Sequence, residues 1–352
     1  MKRLFLVLAE VAGIAVLVIF AATMLDTDLR PAPDSAPGYR IVQVPTPSRD
    51  RDIEVHIWYP TATAATSTLF GQNALFYGFH AIADAEPVAK SLPILLISHG
   101  SGGNAERLGW LAAHLAISGM IVVAPNHPGT TSRDSDPHQT VKVWERPQDL
   151  SAILDFLQAT PPAGLKPDFT RIAVLGFSIG GHSALGLSGV TLSKPAFVDY
   201  CARMGDQLEC KWLRDGGVVF SDINQALYEQ SNLDTRITTT IAIDPAWAPA
   251  MTQSSLEQMP LPTLLINLGA SGTVPEAVQA DRIATHLPNA RQEWVDGASH
   301  FSFLAECSTL GWIIIGIVGE ENICADPGGK KRGLAHRELK QIISQFLTEL
   351  WQ

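Results

Sequence analysis

The feature that most constrains this chain is the run Gly176-Phe177-Ser178-Ile179-Gly180-Gly181. It follows the apolar stretch Ile172-Ala173-Val174-Leu175 and precedes a helical pattern over residues 183–187. A strand that passes into a helix through a single residue needs a turn too sharp for side chains on either side of it, and Gly176 and Gly180 supply the room. The hydroxyl of Ser178 is then left exposed at the strand end. The first amides of the following helix face any negative charge that develops beside it. A Gly-x-Ser-x-Gly pattern alone is common, and the plainer reading is a Gly-rich turn with no chemistry. The strand before it and the helix after it favour a nucleophile.

The rest of the chain suits that context. Apolar runs at residues 39–44, 53–59, 93–98, 120–124, 171–176, 238–244, 262–268 and 291–295 read as eight strands. Several are continuously apolar, as strands covered on both faces are. Helical patterns lie between them, at 107–118 (stopped by Gly119), at 147–159 (opened by Pro147 and closed before Pro161-Pro162) and at 335–351. Alternation of this kind implies a doubly wound, mostly parallel eight-stranded sheet, and with the elbow at Ser178 the expected fold resembles that of the α/β-hydrolases. With 352 residues, 46% of them apolar, the chain has enough material for one large core, expected over residues 39–352. Residues 194–236 break the alternation and read as a lid-like insertion. Residues 303–337 read as a second irregular segment.

Net charge is −10, and the longest basic run is Lys330-Lys331-Arg332, so the basic face that nucleic acid requires is absent from the sequence. At the N-terminus, Lys2 and Arg3 precede an apolar stretch over residues 4–25, broken by Glu10 and Thr23. It is long enough to span a bilayer as an anchor, and its position also fits a secretory signal with a weak cleavage site. Either way the remainder is exported, periplasmic or secreted. Membrane association through this segment is one outcome. Residues 26–38, with Pro31, Pro33, Pro37 and Gly38, read as a linker. The four cysteines fall in two close pairs, Cys201 with Cys210 and Cys307 with Cys324, which two local disulfides of an oxidising compartment would account for; four unpaired thiols are the alternative.

Three further sites complete the chemistry. His99-Gly100-Ser101-Gly102-Gly103 directly follows the third strand, where this fold draws one oxyanion amide, and the residue after the nucleophile supplies the other. Those amides are assigned to Ser101 and Ile179. After the last strand, Asp296-Gly297-Ala298-Ser299-His300 places a histidine in a loop, and His300 is the expected base. Of the other histidines, His182 is expected under the sheet, His127 lining the pocket, His56 far from the active edge and His286 in a helical pattern. The acid commonly follows the seventh strand, but Gly269-Ala270-Ser271-Gly272-Thr273-Val274-Pro275 holds no carboxylate there. Glu276 and Asp281 stand at a helix start, where the dipole favours acids anyway, and Asp296 reads as a turn residue. The sixth strand ends Ile243-Asp244-Pro245, so Asp244 is the expected acid.

Taken together, Ser98-His99-Gly100-Ser101-Gly102, Gly176-Phe177-Ser178-Ile179-Gly180-Gly181, Ala242-Ile243-Asp244-Pro245-Ala246-Trp247 and Gly297-Ala298-Ser299-His300 resemble the platelet-activating-factor acetylhydrolases (plasma and isoform II type) and their bacterial dienelactone-hydrolase-like relatives. The resemblance spans about residues 39–303. It implies Ser178 as nucleophile, Asp244 as acid, His300 as base, and amides of Ser101 and Ile179 at the oxyanion. A serine esterase acting on small-molecule or lipid esters follows from it, with no metal or organic cofactor. Dienelactone hydrolases proper carry Cys at the elbow, so Ser178 speaks against that activity. Amide or thioester hydrolysis by the same triad is an alternative. A non-catalytic binding protein of this fold is another, though it would have no use for the full set.

Overall fold

The structure is a computed structural model that describes residues 32–351, apart from 206 and 319–321. The apolar stretch 4–25 and the first part of the expected linker therefore lie outside the described residues. Among the described residues, no helix is long and apolar enough to cross a membrane.

All eight expected runs form strands, and two short ones join them. In chain order they are β1 (Gly38–Val44), β2 (Ile53–Tyr59), β3 (Thr68–Phe70), β4 (Phe79–Ala83) and β5 (Leu92–Ser98). Then come β6 (Ile121–Pro125), β7 (Pro167–Phe177), β8 (Thr239–Ile243), β9 (Thr263–Asn267) and β10 (Ala290–Trp294). Among the described residues the sheet is therefore ten-stranded rather than eight-stranded, in the order β10-β9-β8-β7-β5-β6-β2-β1-β4-β3. The added β3 and β4 form a small antiparallel pair at one edge. β3 has only three residues and β4, Phe79-His80-Ala81-Ile82-Ala83, holds no continuous β-branched apolar run, so neither stands out in the sequence.

From β10 to β6 every neighbouring pair is parallel, whereas β2 runs antiparallel to both β6 and β1. All residues of β5, β6, β8 and β9 are buried, as expected of strands covered on both faces. The chain winds from β5 to β6 on one side and returns to β7 on the other. A crevice at the carboxyl ends of β5 and β7 results, where open α/β sheets bind their ligands. Register aligns the strand tips there: Ser98 pairs with Gly176, Phe177 with Ile243, Ile243 with Ile266, and Asn267 with Trp294. Every loop singled out by the sequence thus leaves the sheet at one edge.

The main helices are α1 (Gly109–Ile117), α2 (Glu145–Ala159), α3 (Ile179–Leu187), α4 (Lys194–Arg203), α5 (Leu208–Asp215), α6 (Thr309–Val318) and α7 (Arg332–Trp351). α1 runs up to Gly119, whose φ of +108° suits a residue without a side chain. Residues 194–236 fold into α4, α5 and short helical turns. Phe197, Tyr200 and Leu213 from this insertion pack in one apolar cluster with Ile179 and Trp247. Segment 303–337 is not irregular throughout, because α6 lies inside it. That helix carries apolar residues on all sides and therefore shows no amphipathic period.

Candidate active site

Ser178 sits at the turn between β7 and α3 with φ 56° and ψ −121°, outside the ordinary regions for a residue with a side chain. A Cβ on Gly176 would fall 1.8 Å from the carbonyl oxygen of Gly180, and one on Gly180 would fall 2.0 Å from that of Ser98. Strand and helix approach this closely only because both positions are glycine. Strain at one residue persists where its surroundings over-determine it. Here the Ser178 amide donates to the Ile243 carbonyl at 2.9 Å, and the Ser178 carbonyl accepts from the Ala246 amide at 2.9 Å. The tip of β8 thus holds the backbone on both sides.

Asp244 follows that tip, fully buried, with φ 43°. Its Oδ1 accepts from the side-chain amide of Asn267 and the backbone amide of Leu268, both at 2.9 Å. Its Oδ2 lies 2.9 Å from Nδ1 of His300. A carboxylate already accepting two bonds takes a third donor, so Nδ1 carries the proton in this contact, and in the neutral ring the lone pair is on Nε2. The His300 side chain remains 27% exposed, which leaves it reachable from solvent. Its ring lies 4.7 Å from that of Phe177, the residue preceding Ser178. Register and loop packing thus bring Ser178, Asp244 and His300 to one place. Asp296 is an exposed turn residue, and Glu276 is also exposed. Asp281 accepts from Gln292 instead of meeting His300.

The loop carrying His300 is pinned by the segment that follows α6. Ser302 caps it from within and donates to Asp326 at 3.0 Å, while the Lys330 amide donates to the Gly297 carbonyl at 2.8 Å. Asp326 in turn pairs with the buried Arg332 at 3.2 Å. The Cys307–Cys324 disulfide closes this segment, and Cys201–Cys210 links α4 to α5.

On the other side, Gly100 leads into the loop after β5 so close to the elbow that a Cβ there would lie 3.4 Å from Cβ of Ser178. Ser101 is exposed at the tip of the turn, and Gly102 donates to the Thr130 carbonyl at 3.0 Å. Ile179 is the first residue of α3, so its amide has no carbonyl within the helix to bond. A buried polar network supports the loop. His99 Nδ1 donates to the Gly100 carbonyl at 2.7 Å, and its Nε2 accepts from the His127 amide at 3.2 Å. Arg146 donates to the His99 carbonyl at 2.6 Å. His127 bonds Ser98 at 3.0 Å and Asp149 at 2.8 Å, and Asp149 is clamped by both ends of the Arg49 guanidinium. Burial, with Arg146 nearby, holds His99 and His127 well below the usual imidazole range, so both are neutral bonding groups. Burial also lowers Arg146 to about 9. His127 is therefore enclosed beneath the loop and does not line a pocket, contrary to expectation.

Residues 94–308 match the alpha/beta hydrolase family. The chain belongs to that family. No curated protein sequence matches it. Among solved structures it is similar to a ferulic acid esterase from Streptomyces cinnamoneus, with 22% identity and a TM-score of 0.63, over 91% of this chain and 92% of that one. A dienelactone hydrolase-like promiscuous phosphotriesterase from metagenomic libraries is similar at 13% identity and TM-score 0.51, over 90% and 99%. At these identities the likeness is one of fold.

Other parts of this hydrolase follow the sequence reading. His182 is buried on α3, edge-on to Trp247, and His56 is buried on β2 against Tyr39. His286 is paired with Glu257 at 3.7 Å rather than with the site. Asn267, Arg49, Arg146 and Asp149 were not legible as site residues. Asn267 looks like the polar end of a strand, and the other three belong to a turn and a helix whose pairing depends on residues about 100 positions apart.

Proposed function

We propose that this hydrolase cleaves carboxylic esters by covalent catalysis at Ser178, with His300 as general base and Asp244 orienting it. The observation that carries the reading is the Nδ1 to Oδ2 contact of 2.9 Å, which leaves Nε2 of His300 free to accept a proton beside the elbow. Nε2 takes the Ser178 proton as Oγ bonds to the ester carbonyl carbon. The carbonyl oxygen gains the negative charge, and the amides of Ser101 and Ile179 stabilise it, a donor of this kind lowering the barrier by about 3 kcal/mol. The C–O bond then breaks and the alcohol leaves with the proton from His300. Water, deprotonated by the same imidazole, hydrolyses the acyl-enzyme and releases the acid.

The resemblance to platelet-activating-factor acetylhydrolases supports short-acyl or phospholipid-type esters as the substrate class. Insertion 194–236, which packs against Ile179 beside the nucleophile, acts in this reading as a lid. Two disulfides are in keeping with an exported protein, for which residues 4–25 serve as signal or anchor. The test is hydrolysis of nitrophenyl esters and phospholipid esters across acyl length by the purified protein. Turnover should peak at short acyl chains; turnover of amides with none of any ester would overturn the reading.

A further inference from the structure

We infer that Asn267 is a positioning residue for the proposed triad, holding the carboxylate of Asp244 in the orientation His300 needs; this rests on the triad reading above. Asn267 is fully buried at the tip of β9, the strand next to β8, which Asp244 follows. Its Nδ2 donates to Asp244 Oδ1 and to the Val278 carbonyl, and its Oδ1 accepts from the Ala280 amide, each at 2.9 Å. These partners dictate which way the amide faces. Val278 and the carboxylate only accept, and the Ala280 amide only donates, so the flipped arrangement would leave three buried groups unmatched. The side chain is therefore locked by the loop after β9 and spends its second proton on the acid.

Chemistry requires an amide here. Asp244 has a backbone donor at Oδ1 from Leu268, which fixes one direction only. The second donor from Asn267 stops the carboxyl group from turning about its Cβ–Cγ bond, so Oδ2 stays aimed at Nδ1 of His300 at 2.9 Å. A carboxylate in the same place would repel Asp244, because two adjoining carboxylates do not ionise independently. The same point of the fold, the tip of β9, is where the sequence lacks an acid. In this chain it supplies the acid's partner instead.

The test compares Asn267→Leu, Asn267→Asp and Asp244→Asn in the full chain, reading kcat and KM separately and kcat/KM against pH. Asn267→Leu should lower kcat about tenfold with KM within about twofold, since the charge-assisted hydrogen bond to the carboxylate and the orientation it enforces are lost together. Asn267→Asp preserves shape and the acceptor for Ala280, so it carries the test should the leucine variant fail to fold. Because two adjoining carboxylates do not ionise independently, this pair shares one proton at neutral pH, and loss of that proton removes the donor to Asp244, so kcat/KM should gain an alkaline limb that wild type lacks. A merely structural residue would not add that limb. If both Asn267 variants fold and match wild type in kcat and pH profile while Asp244→Asn loses activity, the inference is wrong and the triad stands. If Asp244→Asn also matches wild type, the triad reading itself is wrong.

Discussion

Oδ2 of Asp244 and Nδ1 of His300 are 2.9 Å apart, although 56 residues separate them in the chain. One stands at the tip of β8 and the other in the loop after β10, two strands away across the sheet edge. Replacing the acid by its amide keeps shape and burial but presents a donor or a weaker acceptor to the ring. Asp244→Asn should therefore lose on the order of 10⁴ in turnover with the fold unchanged by circular dichroism. Glu276→Gln, Asp281→Asn and Asp296→Asn should stay near wild type, since none of the three touches His300. A collapse in any of those, with Asp244→Asn active, would move the acid elsewhere.

The elbow predicts a stability effect of the opposite kind, in which adding one methyl group is harmful. Gly180→Ala would force a Cβ to 2.0 Å from the Ser98 carbonyl oxygen, which belongs to a buried strand and cannot swing away. Overpacking of this severity costs about 3 kcal/mol, which for a domain of this size should lower Tm by at least about 5 °C. Scanning calorimetry of the variant decides it.

How far these contacts could be read from sequence depended on their range. Gly176, Ser178 and Gly180 announce themselves because strand, turn and helix are contiguous. Asp244 is legible through the missing carboxylate in the stretch 269–275 after the seventh expected strand and through Pro245, which fixes the turn after the sixth. His300 stands out because it follows the last strand, and the only other histidine between the penultimate strand and the C-terminal helix, His286, falls in a helical pattern. By contrast, the network of Arg49, Asp149, His127 and His99 joins four separate segments, and no local pattern marks it. β3 escapes for want of length, β4 for want of a continuous apolar run, and α6 for want of a polar face.

Stability should fall in acid for a reason set by burial. His182 and His336 are pushed down to about 3 by burial, with nearby cations adding to the effect. In the unfolded chain an imidazole titrates near 6.5. Between those values the unfolded state binds a proton that the folded state refuses, so stability is complete above about pH 6.5 and is lost as pH falls toward 3. His336→Gln removes one such group while retaining a donor for the Leu304 carbonyl, which His336 bonds at 3.1 Å. Its Tm should fall less steeply than wild type from pH 6.5 to 4; an unchanged slope would show that His336 does not contribute.

The disulfides offer a separate handle. Cys201–Cys210 and Cys307–Cys324 close separations of 9 and 17 residues, and in the chain-entropy account each contributes about 2–3 kcal/mol. Reduction should lower Tm, and Cys307→Ser with Cys324→Ser should lower kcat as well, because that bridge closes the segment that pins the His300 loop through Asp326. Peptide mapping without reductant should show both bridges; four free thiols in exported protein would contradict them.

Covalent catalysis at Ser178 is tested most directly by an active-site-directed fluorophosphonate followed by peptide mass spectrometry. One adduct per chain is expected, on the peptide that contains Ser178, and Ser178→Ala should lose both the adduct and ester turnover while retaining its fold. Labelling of the variant equal to that of wild type, or an adduct on a different residue, would contradict the account.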